Sequence, residues 1–125
     1  MTWQFRNDLP IYTQLMGQMK QRIITGVYTP GERVPSVRDL AAEAGVNPNT
    51  MQRALIELER EGLLFSQRTA GRFITEDTDM IEDVKKSMAR EEIQSFLNAM
   101  TELGYTHQEI LELLKKVSEQ EGESA

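Results

Sequence analysis

Two helix-start signals stand close together in this chain with a glycine between them, and no other feature narrows the fold so far. Ser36-Val37-Arg38-Asp39 reads as a capping box, with Ser36 as the cap and Asp39 at the third helical position in place of the usual Glu. Val37, Leu40, Ala41 and Ala44 follow at i, i+3, i+4 and i+7, which gives one apolar face, and Gly45 stands where a helix ends in positive φ. Asn47 then caps a second helix, with Pro48 at the first helical position, where a missing N–H does no harm. The first helix is therefore held to about nine residues, and two helices joined by so tight a glycine-containing turn make the helix-turn-helix pattern.

In the second helix Met51, Ala54, Leu55 and Leu58 form the buried stripe, which leaves Asn49, Arg53, Ile56 and Arg60 on the opposite face and Gln52 to one side. Because Asn47 and Pro48 already account for the helix start, Asn49 and Thr50 are surplus polar groups that either solvate the helix start or stand at the N-terminal end that, in a recognition helix, enters the major groove. The free N–H groups of that first turn and the helix dipole also favour a phosphate there. Upstream, Pro10 and the Ile11, Leu15, Met19, Ile23 repeat predict a helix over Ile11 to Thr25, stopped by Gly26. Gly17 inside it costs about 1 kcal/mol against Ala, which close packing at that point would explain. Tyr28 to Arg33 reads as a turn into a very short extended piece. Downstream, residues 63–67 and 72–75 are strand candidates flanking Arg68-Thr69-Ala70-Gly71, a basic hairpin able to place Arg68 and Arg72 near phosphates or a minor groove.

Composition removes the competing classes. The chain has no Cys and one His, His107, so neither a disulfide framework nor a thiolate or two-histidine zinc site is available, and no metal or other cofactor is expected. The chain carries no GxSxG, HExxH or GxxxxGK[ST] motif, and His107 reads as a solvated residue in a first helical turn, so an enzyme is not expected. MTWQFRNDLP lacks an apolar signal core and no apolar run approaches the roughly 18 residues of a membrane span, which predicts a soluble, cytoplasmic protein with no membrane partner. The net charge of −6 is unevenly spread: residues 1–75 hold nine Lys and Arg against seven Asp and Glu, net +2, while residues 76–125 hold five against thirteen, net −8. A mildly basic body with an acidic appendage fits a nucleic-acid binder whose second part does something else.

Residues 10–75, from PIYTQLMGQMK through PGERVPSVRDLAAEAGVNPNTMQRALIELEREG to GRFIT, resemble without a gap the winged helix-turn-helix domain of the GntR family of bacterial transcription regulators. The resemblance implies a mostly α protein with a small β-hairpin that binds a double-stranded DNA operator as a homodimer. By position it makes Ser36, Arg38, Asn47, Asn49, Thr50, Gln52 and Arg53 candidate DNA-contacting residues, together with Arg68, Thr69, Gly71 and Arg72 of the wing. The family wing often has glycine where this chain has Thr69, and a side chain there limits how closely the backbone approaches DNA. The alternative is a winged adaptor that docks proteins, whose surface should carry aromatic or aliphatic anchors in place of the Asn49, Arg53, Arg60 face.

The tail, residues 76–125, predicts two helices. Asp79 with Glu82 forms a capping box; Ile81, Val84 and Met88 make one stripe and Ile93, Phe96, Met100 and Leu103 another, rotated around the same helix. Gly104 breaks it, Thr106 with Glu109 caps the next helix, and Ile110, Leu113, Leu114 and Val117 form its apolar face. Two such helices cannot cover all of these side chains alone, so Ile93, Phe96, Leu97, Met100, Leu103, Ile110, Leu113, Leu114 and Val117 are assigned to a homodimer interface. Residues 119–125 are expected to be disordered. A tail this short resembles the YtrA-like subfamily, which implies repression of neighbouring genes, often for ATP-binding cassette transporters. An unknown small-molecule effector stays open: a site of about 300 Å³ exceeds what two helices enclose, so it would lie between protomers or against the winged domain. Met88 and Met100 could line it, although packing is their more ordinary role.

Overall fold

Pro10, with φ −56° fixed by its ring, leads into α1 (Ile11–Ile24) in a computed structural model that describes residues 2–124. Leu15, Met19 and Ile23 of α1 are fully or almost fully buried, as their spacing requires. No atom lies within 4 Å of where a Cβ on Gly17 would stand, so close packing does not explain this glycine. Helix α2 (Val37–Ala44) begins with the Ser36 hydroxyl accepting from the Asp39 N–H at 3.1 Å and ends at Gly45, whose φ of 71° is the left-handed value a side chain would resist. Helix α3 (Pro48–Arg60) begins with the Asn47 side chain accepting from the Asn49 N–H at 2.8 Å. It packs on α1, α2 and the first strand, and its Met51, Ala54, Leu55 and Leu58 are fully buried.

Strands β1 (Leu64–Gln67) and β2 (Gly71–Ile74) form an antiparallel hairpin with Phe65 opposite Phe73, their rings 5.7 Å apart. The extended piece after the Tyr28–Arg33 turn joins its edge: Arg33 bridges Phe73, and the Val34 N–H donates to the Arg72 carbonyl at 2.9 Å. Three helices, a short strand-like piece and a hairpin around one core make a winged helix-turn-helix unit.

Helix α4 (Thr78–Glu102) is capped by Asp77, whose carboxylate accepts from the Met80 N–H at 3.1 Å, and not by Asp79. Met80, Ile81 and Val84 pack on the winged core, so the first compact unit runs through Lys85 rather than ending at Thr75. The second unit, from Lys86, holds the rest of α4 and α5 (His107–Ser124). Gly104, with φ 96°, separates the helices. Thr106 and Glu109 then cap each other reciprocally at 3.0 and 3.2 Å, and hydrogen bonding of the Glu109 carboxylate to the Thr106 backbone N–H first, then to its side chain, holds that carboxyl below the usual carboxylate range. Helix α5 runs through residues 119–124, where the composition predicts disorder; Ala125 lies outside the described residues. No helix among the described residues is long and apolar enough to cross a membrane.

Candidate nucleic-acid interface

The interface is built around the face of α3 that packing leaves open. Asn49, Gln52, Arg53, Ile56 and Arg60 are exposed there, and Thr50 is half-buried beside them. The side-chain oxygens of Ser36 and Asn47 are already engaged as helix caps, so they fix the first turns of α2 and α3 and are not idle polar groups. Arg38 is exposed on α2, directly after the turn that carries Ser36.

The basic residues differ in what holds them. Arg60 is paired with Glu57 at 2.6 Å, and Arg72 is paired with Glu59. The Glu59 carboxylate also accepts from the Ser66 hydroxyl at 2.6 Å. Burial alone would raise the Glu59 pKa, but the bonds from Ser66 and Arg72 and the Arg72 charge outweigh it and hold the carboxyl below its ordinary value. Arg72, expected near phosphates or a minor groove, is engaged in tying β2 to the recognition helix. Arg68 is exposed in the wing turn, where the Ala70 N–H donates to the Gln67 carbonyl at 3.1 Å. Thr69 has φ 65°, a left-handed conformation that glycine adopts without cost and a β-branched residue resists.

Between the start of α2 and the wing lies a cleft of about 430 Å³ that brings together Ser36, Thr69, Gly71 and Arg72. The same cleft exposes a cation absent from the sequence-derived set. Arg33 lies against Gly71, where a Cβ would come within 3.3 Å of its Nε. The signal for it was available, since the piece after the Tyr28–Arg33 turn had to pair with something, but its partner strand could be identified only after folding. A further contact also has no signature in sequence: the Arg53 guanidinium carbon stands 3.7 Å from the centre of the Tyr12 ring on α1.

Comparison with known proteins places this geometry. The model for bacterial regulatory proteins of the gntR family matches residues 11–74, and the chain belongs to that family. It is 39% identical over 116 residues to the uncharacterised HTH-type transcriptional regulator YhcF of Bacillus subtilis, a match covering 93% of this chain and 96% of YhcF. It is 36% identical over 115 residues to the HTH-type transcriptional repressor YtrA of the same organism, covering 90% and 88% of the two chains. Among solved structures, a GntR family transcriptional regulator from Listeria monocytogenes superposes with a TM-score of 0.83 at 36% identity, over 90% of this chain and 98% of that one. The DNA-binding domain of AraR in complex with operator ORX1 superposes with a TM-score of 0.54 at 26% identity, over 60% of this chain and 99% of that one. These relatives are transcription regulators and not enzymes.

Proposed function

We propose that the protein is a sequence-specific DNA-binding repressor that holds an inverted-repeat operator as a homodimer and controls a neighbouring transporter operon. The observation that carries the DNA-binding reading is the open face of α3, where Asn49, Gln52 and Arg53 stand exposed, with the exposed cations Arg33, Arg38 and Arg68 on other elements of the same unit. Asn and Gln suit adenine edges, Arg suits guanine, and the flanking cations suit phosphates. The AraR complexes with operator and the repressor YtrA support the same reading from related chains. One exposed apolar residue on this face, Ile56, offers little to a protein-docking adaptor.

The second unit supports the homodimer. Ile93, Phe96, Leu103, Leu113, Leu114 and Val117 are all more than a third exposed, and Leu97 and Met100 are only partly covered. Ile110 is 1% exposed and so leaves almost no surface for a partner to cover. For a small-molecule effector the winged unit offers a groove of about 420 Å³, lined by Phe5, Leu9, Gln14 and Gly17.

The experiment that tests this reading is selection of genomic fragments with purified protein. Recovery of one inverted-repeat motif, its half-sites about one helical turn apart and upstream of a transporter operon, is the expected result. Recovery of no enriched motif would overturn it.

A further inference from the structure

Arg53 differs from the other arginines of the recognition surface in how it is held. Arg60 and Arg72 spend their charge on Glu57 and Glu59, whereas among the described residues no ion pair engages Arg53. Its guanidinium lies over the Tyr12 ring, 3.7 Å from the centroid, well inside the roughly 6 Å range of a cation–π contact. Stacking uses the flat face of a guanidinium and leaves the N–H groups, which lie in its plane, free to donate at the edge.

Tyr12 is itself held in place. It is the second residue of α1, half-buried against the core, and the helix beneath it is registered to α3 again farther along, where the Lys20 ammonium meets the Glu61 carboxylate at 2.8 Å. Partial burial against the core narrows the positions the ring can take beside Arg53, and the packing of α1 on α3 fixes the backbone that carries it. An unheld arginine loses its rotamer freedom when it is fixed on a base edge. One already stacked has lost part of that freedom before DNA arrives.

We propose that Tyr12 is a positioning residue for base recognition: its ring holds the Arg53 guanidinium at the open face of α3 with the N–H edge free to meet the groove. The inference rests on the reading that α3 enters the DNA, and it assigns a role in recognition to a residue of α1 that acts through Arg53.

The test uses the full chain and a selected operator duplex, with Tyr12→Phe, Tyr12→Leu, Arg53→Ala and the Tyr12→Leu/Arg53→Ala double variant. Tyr12→Phe keeps the ring and should bind within about twofold of wild type. Tyr12→Leu keeps apolar packing but loses the ring, and should weaken operator binding about 3- to 10-fold while leaving binding to unrelated DNA unchanged. In the Arg53→Ala background, Tyr12→Leu should add no further loss; an equal loss there would overturn the proposal, because Tyr12 would then act through the fold. A second readout needs no DNA: the Arg53 Nε–H resonance of the free protein should be shifted upfield by the ring current, retain that shift in Tyr12→Phe and lose it in Tyr12→Leu. An unshifted resonance in the wild type refutes the stacking itself, even if the operator is bound. A shifted resonance in a protein that binds no operator refutes instead the reading on which the proposal rests.

Discussion

At the scale of single residues, Glu59 does most to join the recognition helix to the wing, because one carboxylate oxygen receives both Ser66 and Arg72. Its folded pKa is depressed, so its contribution is present above the unfolded carboxyl value of about 4.3 and is lost as pH falls through the lower folded value. Glu59→Gln should therefore destabilise the chain by about 0.5–1 kcal/mol at pH 7, a figure reduced for partial exposure, with the gap to wild type closing in urea unfolding at acid pH. The arginines divide by what they touch. Arg53→Ala should cost about 1–3 kcal/mol of operator binding and relax discrimination at one base position, whereas Arg38→Ala should weaken all duplexes alike, as a phosphate contact does. Wild-type affinity in both variants, measured by titration with labelled duplex, would remove these residues from the interface. The identity of the exposed α3 residues could be read from the periodic spacing of Met51, Ala54, Leu55 and Leu58. What holds them could not: Glu59–Arg72 and Tyr12–Arg53 join residues far apart in sequence, and no local pattern encodes such pairs.

At the scale of elements, legibility followed the range of the interaction. The caps of α2, α3 and α5 each join residues two or three positions apart: Ser36 and Asn47 cap their helices as the spacing predicts, and Thr106–Glu109 closes a box in both directions, whereas at Ser36–Asp39 the structure shows the bond to the Ser36 hydroxyl alone. The cap of α4 was misplaced because Asp77 and Asp79 both precede the apolar repeat; the Asp77 N–H donates to the Thr75 hydroxyl at 3.1 Å, which ties Asp77 to the end of the wing and decides between them. Asn47 sets the first turn of the recognition helix, so its removal should be felt in both stability and recognition. Asn47→Ala should lower unfolding free energy by about 1 kcal/mol, and Asn47→Asp should recover most of it, because both side chains offer the needed oxygen. Calorimetric midpoints of the two variants check this; equal midpoints for Asn47→Ala and wild type would mean the cap contributes nothing.

At the scale of the whole molecule, the question is what the second unit does for the first. Its exposed apolar residues, Phe96 at 40% and Leu114 at 46% among them, are too many for a surface that meets only water, and a second copy of the same face is the partner that symmetry makes simplest. The winged unit does not depend on them: its core closes with Met80, Ile81 and Val84, all before Lys86. That changes where the chain should be cut. An end at Thr75, the boundary that composition suggests, would strip those three side chains from the core, whereas an end at Lys85 keeps them. The chain ending at Lys85 should fold, bind a half-site about as well as the full protein, and lose roughly 10² to 10⁴ in apparent affinity for the full operator, because the second contact is no longer intramolecular. In the full chain, Phe96→Glu with Leu114→Glu should give the same loss by placing carboxylates in an apolar interface, where each unpaired charge costs several kcal/mol. Sedimentation of both proteins separates the outcomes: monomers that still bind half-sites assign dimerisation to the second unit, whereas dimers at micromolar concentration would mean that its exposed faces serve a different partner and that the winged units pair by another surface.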